Sequence, residues 1–137
     1  MRILAIDFGT KRTCIAVTDP LQIIATGLTT LHSKDVVDFI ESYLLKESVE
    51  CVIIGEPKTL QNTSSDAEQQ IKPFINRLKK KFPSLKIERY DERYTSKIAL
   101  QSMIDAGLKK KQRQDKKLVD MTSAVLILQS YLQSKNR

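Results

Sequence analysis

The opening stretch limits what this chain can fold into more than any other: five of its first six residues are apolar, and the run closes at Asp7-Phe8-Gly9-Thr10. Such a run, bounded by a glycine, describes a short strand covered on both faces, in the middle of a sheet with a layer on each side. Asp7 stands at the carboxyl end of that strand. A carboxylate there is costly to desolvate unless a metal, a cation or several donors meet it. Open α/β sheets place their ligand crevices at such strand ends. The competing reading makes Asp7 a cap for the turn at Phe8-Gly9. Two further carboxylates in comparable places, described below, favour the functional one.

Downstream, Thr13–Thr18 is β-rich and ends at the turn signal Asp19-Pro20, which predicts an antiparallel hairpin with the first strand. Gln22–Thr30 reads as a third strand with a bulge at Gly27. A helix follows, with Ser33 as N-cap, Asp35 in its first turn, and Val36, Val37, Phe39, Ile40, Tyr43, Leu44 and Leu45 as its apolar face. Cys51–Gly55 is a second fully apolar strand. Ser65-Asp66-Ala67-Glu68 has the form of a capping box for a helix to about Phe82, interrupted by Pro73. Leu85–Tyr90 is a fifth strand. Thr95 caps a helix that Gly107 stops, and Leu118–Gln133 is the last helix. The order β-β-β-α-β-α-β-α-α implies a single α/β domain over residues 1–137. Its five-stranded mixed sheet joins an antiparallel hairpin half to a parallel half and is covered by helices on both faces.

Charge and residue types narrow the function. The chain carries 23 Lys and Arg against 16 Asp and Glu, a net +7, which suits a polyanionic partner. Lys79-Lys80-Lys81 ends a predicted helix, where cations also complement the dipole, so a solvated surface is the favoured reading there. Lys109, Lys110, Lys111, Arg113, Lys116 and Lys117 follow Gly107 in a predicted loop, a candidate phosphate contact. His32 is the sole histidine, which excludes histidine dyads and histidine-built zinc sites. Cys14 and Cys51 lie in apolar runs and read as core residues. No run is long enough to span a bilayer and no signal-peptide pattern is present, so a cytoplasmic location is expected.

Glu92 stands at the end of the fifth strand, the same kind of place as Asp7. Asp91 and Glu92 point to opposite faces if the strand continues, so one of them reaches the shared rim. Asp120 falls inside the apolar arc of the last helix, beside Ala124 and Ile127, whereas Thr122, Ser123, Gln129, Ser130 and Gln133 fall on the other arc. An ion pair with Lys11 or a backbone amide is the alternative role for Asp120. Three carboxylates without histidine suit Mg2+ or Mn2+, which prefer oxygen ligands. Two such ions about 3.5–4 Å apart activate water and stabilise the departing oxygen of a phosphodiester.

The segments Asp7-Phe8-Gly9-Thr10-Lys11-Arg12, Gly55-Glu56-Pro57, Asp91-Glu92-Arg93-Tyr94-Thr95 and Val119-Asp120-Met121…Ala124…Ile127–Leu132 resemble the YqgF family, also called RuvX. The resemblance runs from about Arg2 to Leu132, with four motifs in order. It implies a ribonuclease H-like fold and the activity of a Holliday-junction resolvase or a pre-16S ribosomal RNA nuclease. Carried over by position, the family's acidic site is Asp7, Glu92 and Asp120. Cys14 replaces a usual glycine, Leu60–Ser64 lacks the usual loop glycine, and Arg89 occupies a commonly apolar strand position. Glu56 competes with Glu92, because related enzymes carry an acid near the end of the fourth strand.

The expectation is a metal-dependent endonuclease acting on structured nucleic acid, with Lys11, Arg12 and Arg93 meeting phosphates alongside the basic loop. Processing of the pre-16S rRNA 5′ end stands ahead of junction resolution, and the chain works as a monomer or homodimer. A nucleic-acid-binding module with little or no catalysis is the rival of another class. The phosphate loop of actin-like ATPases and sugar kinases also resembles Asp7–Thr10, but those enzymes clamp nucleotide between two such domains and this chain has room for one.

Overall fold

Five strands form one sheet: β1 (Arg2–Phe8), β2 (Arg12–Thr18), β3 (Ala25–His32), β4 (Val49–Glu56) and β5 (Lys86–Asp91). The computed structural model describes residues 1–56, 68–91 and 116–135, the last with side chains from 123 onward. The spatial order is β3-β2-β1-β4-β5, with β1 in the centre as its apolar run requires. β1 pairs antiparallel with β2 and parallel with β4, and β4 pairs parallel with β5. The sheet is therefore mixed as expected, and β1, β4 and β5 end along one rim.

Helices α1 (Val36–Lys46) and α2 (Glu68–Lys81) cover one face, and α3 (Lys116–Lys135) covers the other. Leu4, Ile6, Ile15, Val52 and Ile54 pack with Val36, Ile40, Phe74 and Leu78 in the first layer. Ile3, Ala5, Cys14, Cys51 and Ile53 pack with Ala124, Ile127, Leu128 and Leu132 in the second. Cys14 and Cys51 form no disulfide and are buried, as core residues. Among the described residues no helix is long and apolar enough to cross a membrane. The helix expected from Thr95 lies outside the described residues.

Three local expectations change. The third strand begins at Ala25, because the Asp19 carboxylate accepts the backbone N–H groups of Leu21, Ile23 and Ile24 at 3.2, 2.7 and 2.8 Å. These bonds, Ile24's foremost, hold the Asp19 carboxyl below its usual range. They fold 19–24 into a loop with Gln22 at φ 60° and leave Leu21, Ile23 and Ile24 exposed. The expected bulge is present: the β2–β3 register slips beside Gly27. Leu45, assigned to the apolar face of α1, is 85% exposed. Ser33 does not cap α1; it opens a 3-10 turn (Ser33–Asp35), and its hydroxyl is used elsewhere.

α3 is covered more widely than its helical wheel suggests. Leu126 and Ser130 are buried, and Ser130 Oγ hydrogen-bonds Tyr90 Oη at 2.5 Å. One residue on, Tyr131 Oη donates to Glu88 Oε2 at 2.6 Å, the main reason the Glu88 carboxyl lies below its ordinary range. A depressed carboxyl stabilises the fold above the unfolded-state pKa and loses that contribution as pH falls through the folded one. Tyr131→Phe is therefore expected to cost about 1–2 kcal/mol at neutral pH and less near pH 3, measured as denaturation midpoints across pH. An equal loss at both pH values would contradict this.

Candidate active site

Alternation along β1 decides which way Asp7 looks. Ile3 and Ala5 belong to the α3-side layer and Leu4 and Ile6 to the other, so Asp7 faces α3 and Phe8 faces α2. Phe8 stacks on Phe74 of α2 with ring centroids 4.5 Å apart, which fixes the end of β1. Asp7 is half-buried and stands across from Cys14, whose thiol accepts from Thr30 Oγ1 at 3.3 Å. A packed side chain thus stands directly opposite the carboxylate.

The turn after Asp7 is tied down from β3's end. Ser33 Oγ donates to the Gly9 carbonyl at 2.5 Å and lies 2.8 Å from Thr13 Oγ1, while Ser33 N–H donates to the Lys11 carbonyl at 2.9 Å. Sequence reasoning assigned Ser33 to a helix cap and missed this clamp. Gly9 has no room for a side chain: a Cβ would run into the Arg12 carbonyl oxygen. Gly9→Ala is expected to destabilise the fold by about 1–3 kcal/mol by overpacking, read as a lower urea midpoint. An unchanged midpoint would mean the turn gives way freely.

Polarity of α3 follows from two contacts. Lys135 Nζ meets Glu50 Oε2 at 3.1 Å near the start of β4, whereas Ser130 meets Tyr90 near the end of β5. The helix thus runs against these strands, and its amino-terminal turns lead toward the rim where Asp7 stands. Residue 120 precedes buried Ala124 by one turn. The Asp120 side chain lies outside the described residues.

Glu56 and Asp91 lie at the same rim. Val52 and Ile54 pack toward α1 and α2, and Glu56 continues that alternation onto the face opposite Asp7. Its carboxylate is 3.8 Å from Arg89 Nη1, which also meets Glu68 of α2 at 2.6 Å. Glu56 is thus turned away from Asp7 and engaged with Arg89. Arg89, the charge in a commonly apolar strand position, is explained by Glu68, which the sequence shows on the same stripe of α2 as Ile71, Ile75 and Leu78. Both Glu68 oxygens are used by Arg89.

Of the residues expected to meet phosphates, Lys11 is exposed and Arg12 half-buried at the start of β2, both shortly beyond Asp7. Glu92, Arg93, Lys109, Lys110, Lys111 and Arg113 lie outside the described residues. Among the described residues no three His, Cys, Asp or Glu side chains gather. Asp7 suits a hard cation: it is a half-buried oxygen donor at a strand end.

A family model described as "RuvX: Holliday junction resolvase" matches residues 1–134. A protein of Phocaeicola vulgatus named "Putative pre-16S rRNA nuclease" is 57% identical, covering 98% of this chain and 96% of that one. One of the same name from Christiangramia forsetii is 55% identical over 96% and 97%. Among solved structures, the chain is similar to a Fowlpox virus resolvase in complex with Holliday junction DNA (TM-score 0.61, 17% identity, all of both chains covered). It is also similar to T. thermophilus RuvC with a Holliday junction substrate (TM-score 0.58, 16% identity, 98% and 96% covered). At these identities the likeness shows a shared fold, the ribonuclease H-like one.

Proposed function

Because the chain belongs to the RuvX family, a family of nucleases that hydrolyse phosphodiester bonds, we propose that it is a metal-dependent endonuclease trimming the 5′ end of pre-16S rRNA. Asp7, Glu92 and Asp120 are its proposed acidic site. The observation that carries this reading is the direction of Asp7. It is the one acid of β1, it stands at the strand's carboxyl end, and it faces the layer whose helix runs back toward that end.

Glu92 is preferred to Glu56 on the same ground. Glu88 and Tyr90, four and two residues before it, both reach α3, whereas Glu56 is engaged with Arg89 on the opposite face. Carboxylates from β1, the segment after β5 and α3 would together hold Mg2+ or Mn2+, with donor chemistry matched to hard cations. Bound there, the metal supplies an activated water and offsets charge on the leaving oxygen. The chain's own part is to keep Asp7 fixed, through the Phe8–Phe74 stack and the Ser33 clamp, and to meet the polyanion with Lys11 and Arg12. Arg93, Lys109, Lys110, Lys111 and Arg113 are assigned the same phosphate-binding role.

Junction resolution is the second reading, favoured by the family's own description. It calls for a symmetric dimer acting on two strands, whereas trimming one RNA end is open to a monomer. The test is incubation with 5′-extended 16S precursor and with a four-way DNA junction, each with Mg2+, Mn2+ or EDTA. Divalent-dependent shortening of the RNA is expected. Junction cleavage without RNA shortening would transfer the function to resolution. Cleavage of neither would leave a binding module.

A further inference from the structure

We propose that the outer side of α2 is a second nucleic-acid contact, a track of cations that holds a double-helical arm of the substrate RNA on the sheet face opposite Asp7. The identity of the RNA rests on the nuclease reading above; the track itself does not.

Beyond Glu68, which is buried against Arg89, α2 has no acid and five cations: Lys72, Arg77, Lys79, Lys80 and Lys81. Lys81 is neutralised by Glu41 at 2.8 Å. The other four carry no ion pair among the described residues, and they are exposed in two rows. Lys72, Asn76 and Lys79 line a groove against Ile87 and Arg89 of the edge strand β5. Arg77 and Lys80 line another with Lys34, from the 3-10 turn before α1, and with Asp38 as its one acid. Complementing the helix dipole accounts for cations in the last turn. It does not account for Lys72, for Arg77, or for Lys34 converging from a different element.

The layout fits a duplex backbone. α2 starts at Glu68, which meets Arg89 beside the rim, so Lys72 lies nearest that rim. Lys79 and Lys80 follow about 10 Å further along the axis, at ~1.5 Å per residue. Over that distance a duplex backbone presents several phosphates. The two rows diverge to either side of the exposed face of α2, so each can follow its own run of phosphates, and double-stranded RNA is recognised through its shape and backbone. Single-stranded sites add aromatic platforms for bases, and the only aromatic of α2, Phe74, is buried. Membrane-surface helices interleave their cations with exposed large apolar residues, and α2 presents none. Backbone contact to a double helix is what remains.

The test compares the full chain with Lys72→Gln/Arg77→Gln/Lys79→Gln/Lys80→Gln, and with Lys72→Arg/Lys79→Arg/Lys80→Arg as a charge-keeping control. Binding without divalent cations is measured against salt for two RNAs: a short unpaired one carrying the cleavage site, and the same RNA joined to an arm of about 20 base pairs, long enough to cover the track several times over. Taking one cation away from a phosphate lowers the slope of log K against log salt by about 0.9. The glutamine variant is expected to fall by about 2–4 in slope and on the order of tenfold or more in affinity at ~0.1 M salt, for the armed RNA only. Its cleavage of the short RNA should stay within about twofold of the parent, and the arginine variant should keep the parent's slope. An unchanged slope for the armed RNA would overturn the track, as would an equal fall for both RNAs. If the parent cleaves no RNA while the slope still falls, the nuclease reading fails and the track stands.

Discussion

Asp7→Asn is expected to lower the rate of RNA cleavage by about a thousandfold or more while leaving binding within a factor of a few. Asparagine keeps the size of the side chain, and the Ser33 clamp on the β1–β2 turn is made to the Gly9 carbonyl and not to residue 7. What it removes is the charged oxygen proposed to hold the metal. Charge stabilisation by a bound divalent cation is worth several kcal/mol, and about 4 kcal/mol corresponds to roughly a thousandfold in rate. The proposed phosphate contacts come from cations that the substitution leaves in place, so the salt slope should be unchanged. Single-turnover cleavage at saturating Mn2+ reads the first quantity and salt titrations read the second. Parent-like cleavage by the asparagine variant would remove Asp7 from the chemistry.

A second large effect is expected where no reaction takes place. Arg89 Nη1 and Nη2 hold both oxygens of Glu68 at 2.6 and 2.9 Å, and its Nη2 and Nε also donate to the Gly55 and Ile54 carbonyls at 3.0 and 3.3 Å. The Glu68 side chain is only 5% exposed. Arg89→Met strands that carboxylate without a partner, and removing one member of a buried pair typically costs about 3–5 kcal/mol. For a domain of this size the melting temperature should fall on the order of 10 °C. Glu68→Met in the same chain should restore most of the loss, because two apolar residues then pack where the pair was. A double variant no more stable than Arg89→Met alone would show that the arginine acts through its carbonyl contacts instead.

The extent to which the fold and the site can be foreseen differs by residue. β1 and β4 are legible because a long apolar run has few places to go other than a covered sheet centre. The antiparallel hairpin and the parallel half follow from connection lengths alone. The same apolar runs conceal which face each residue takes: a strand buried on both sides carries no alternation to read. The competition between Glu56 and Glu92 therefore turns on the layers around Ile54 and Ala5, which only the structure supplies. Arg89 looks like a misfit in the sequence because its partner lies 21 residues away on another element. Its signal is present in Glu68, an acid on the buried stripe of α2. Ser130 misleads a wheel that allows one covered face, since Tyr90 reaches across to it from β5. Of the three expected acids, the structure describes the direction of Asp7. The placement of Glu92 and of the Asp120 side chain belongs to the proposal.

The proposed chemistry depends on three acids from distant parts of the chain sharing cations at the end of β1. A crystal structure of the protein soaked in Mn2+, with anomalous data at the manganese edge, addresses that directly. The expected result is strong anomalous density bonded to a carboxylate oxygen of Asp7, with Glu92 and Asp120 as further ligands of the same ion or of one beside it. Manganese bound elsewhere, or these three side chains turned to separate surfaces, would contradict it.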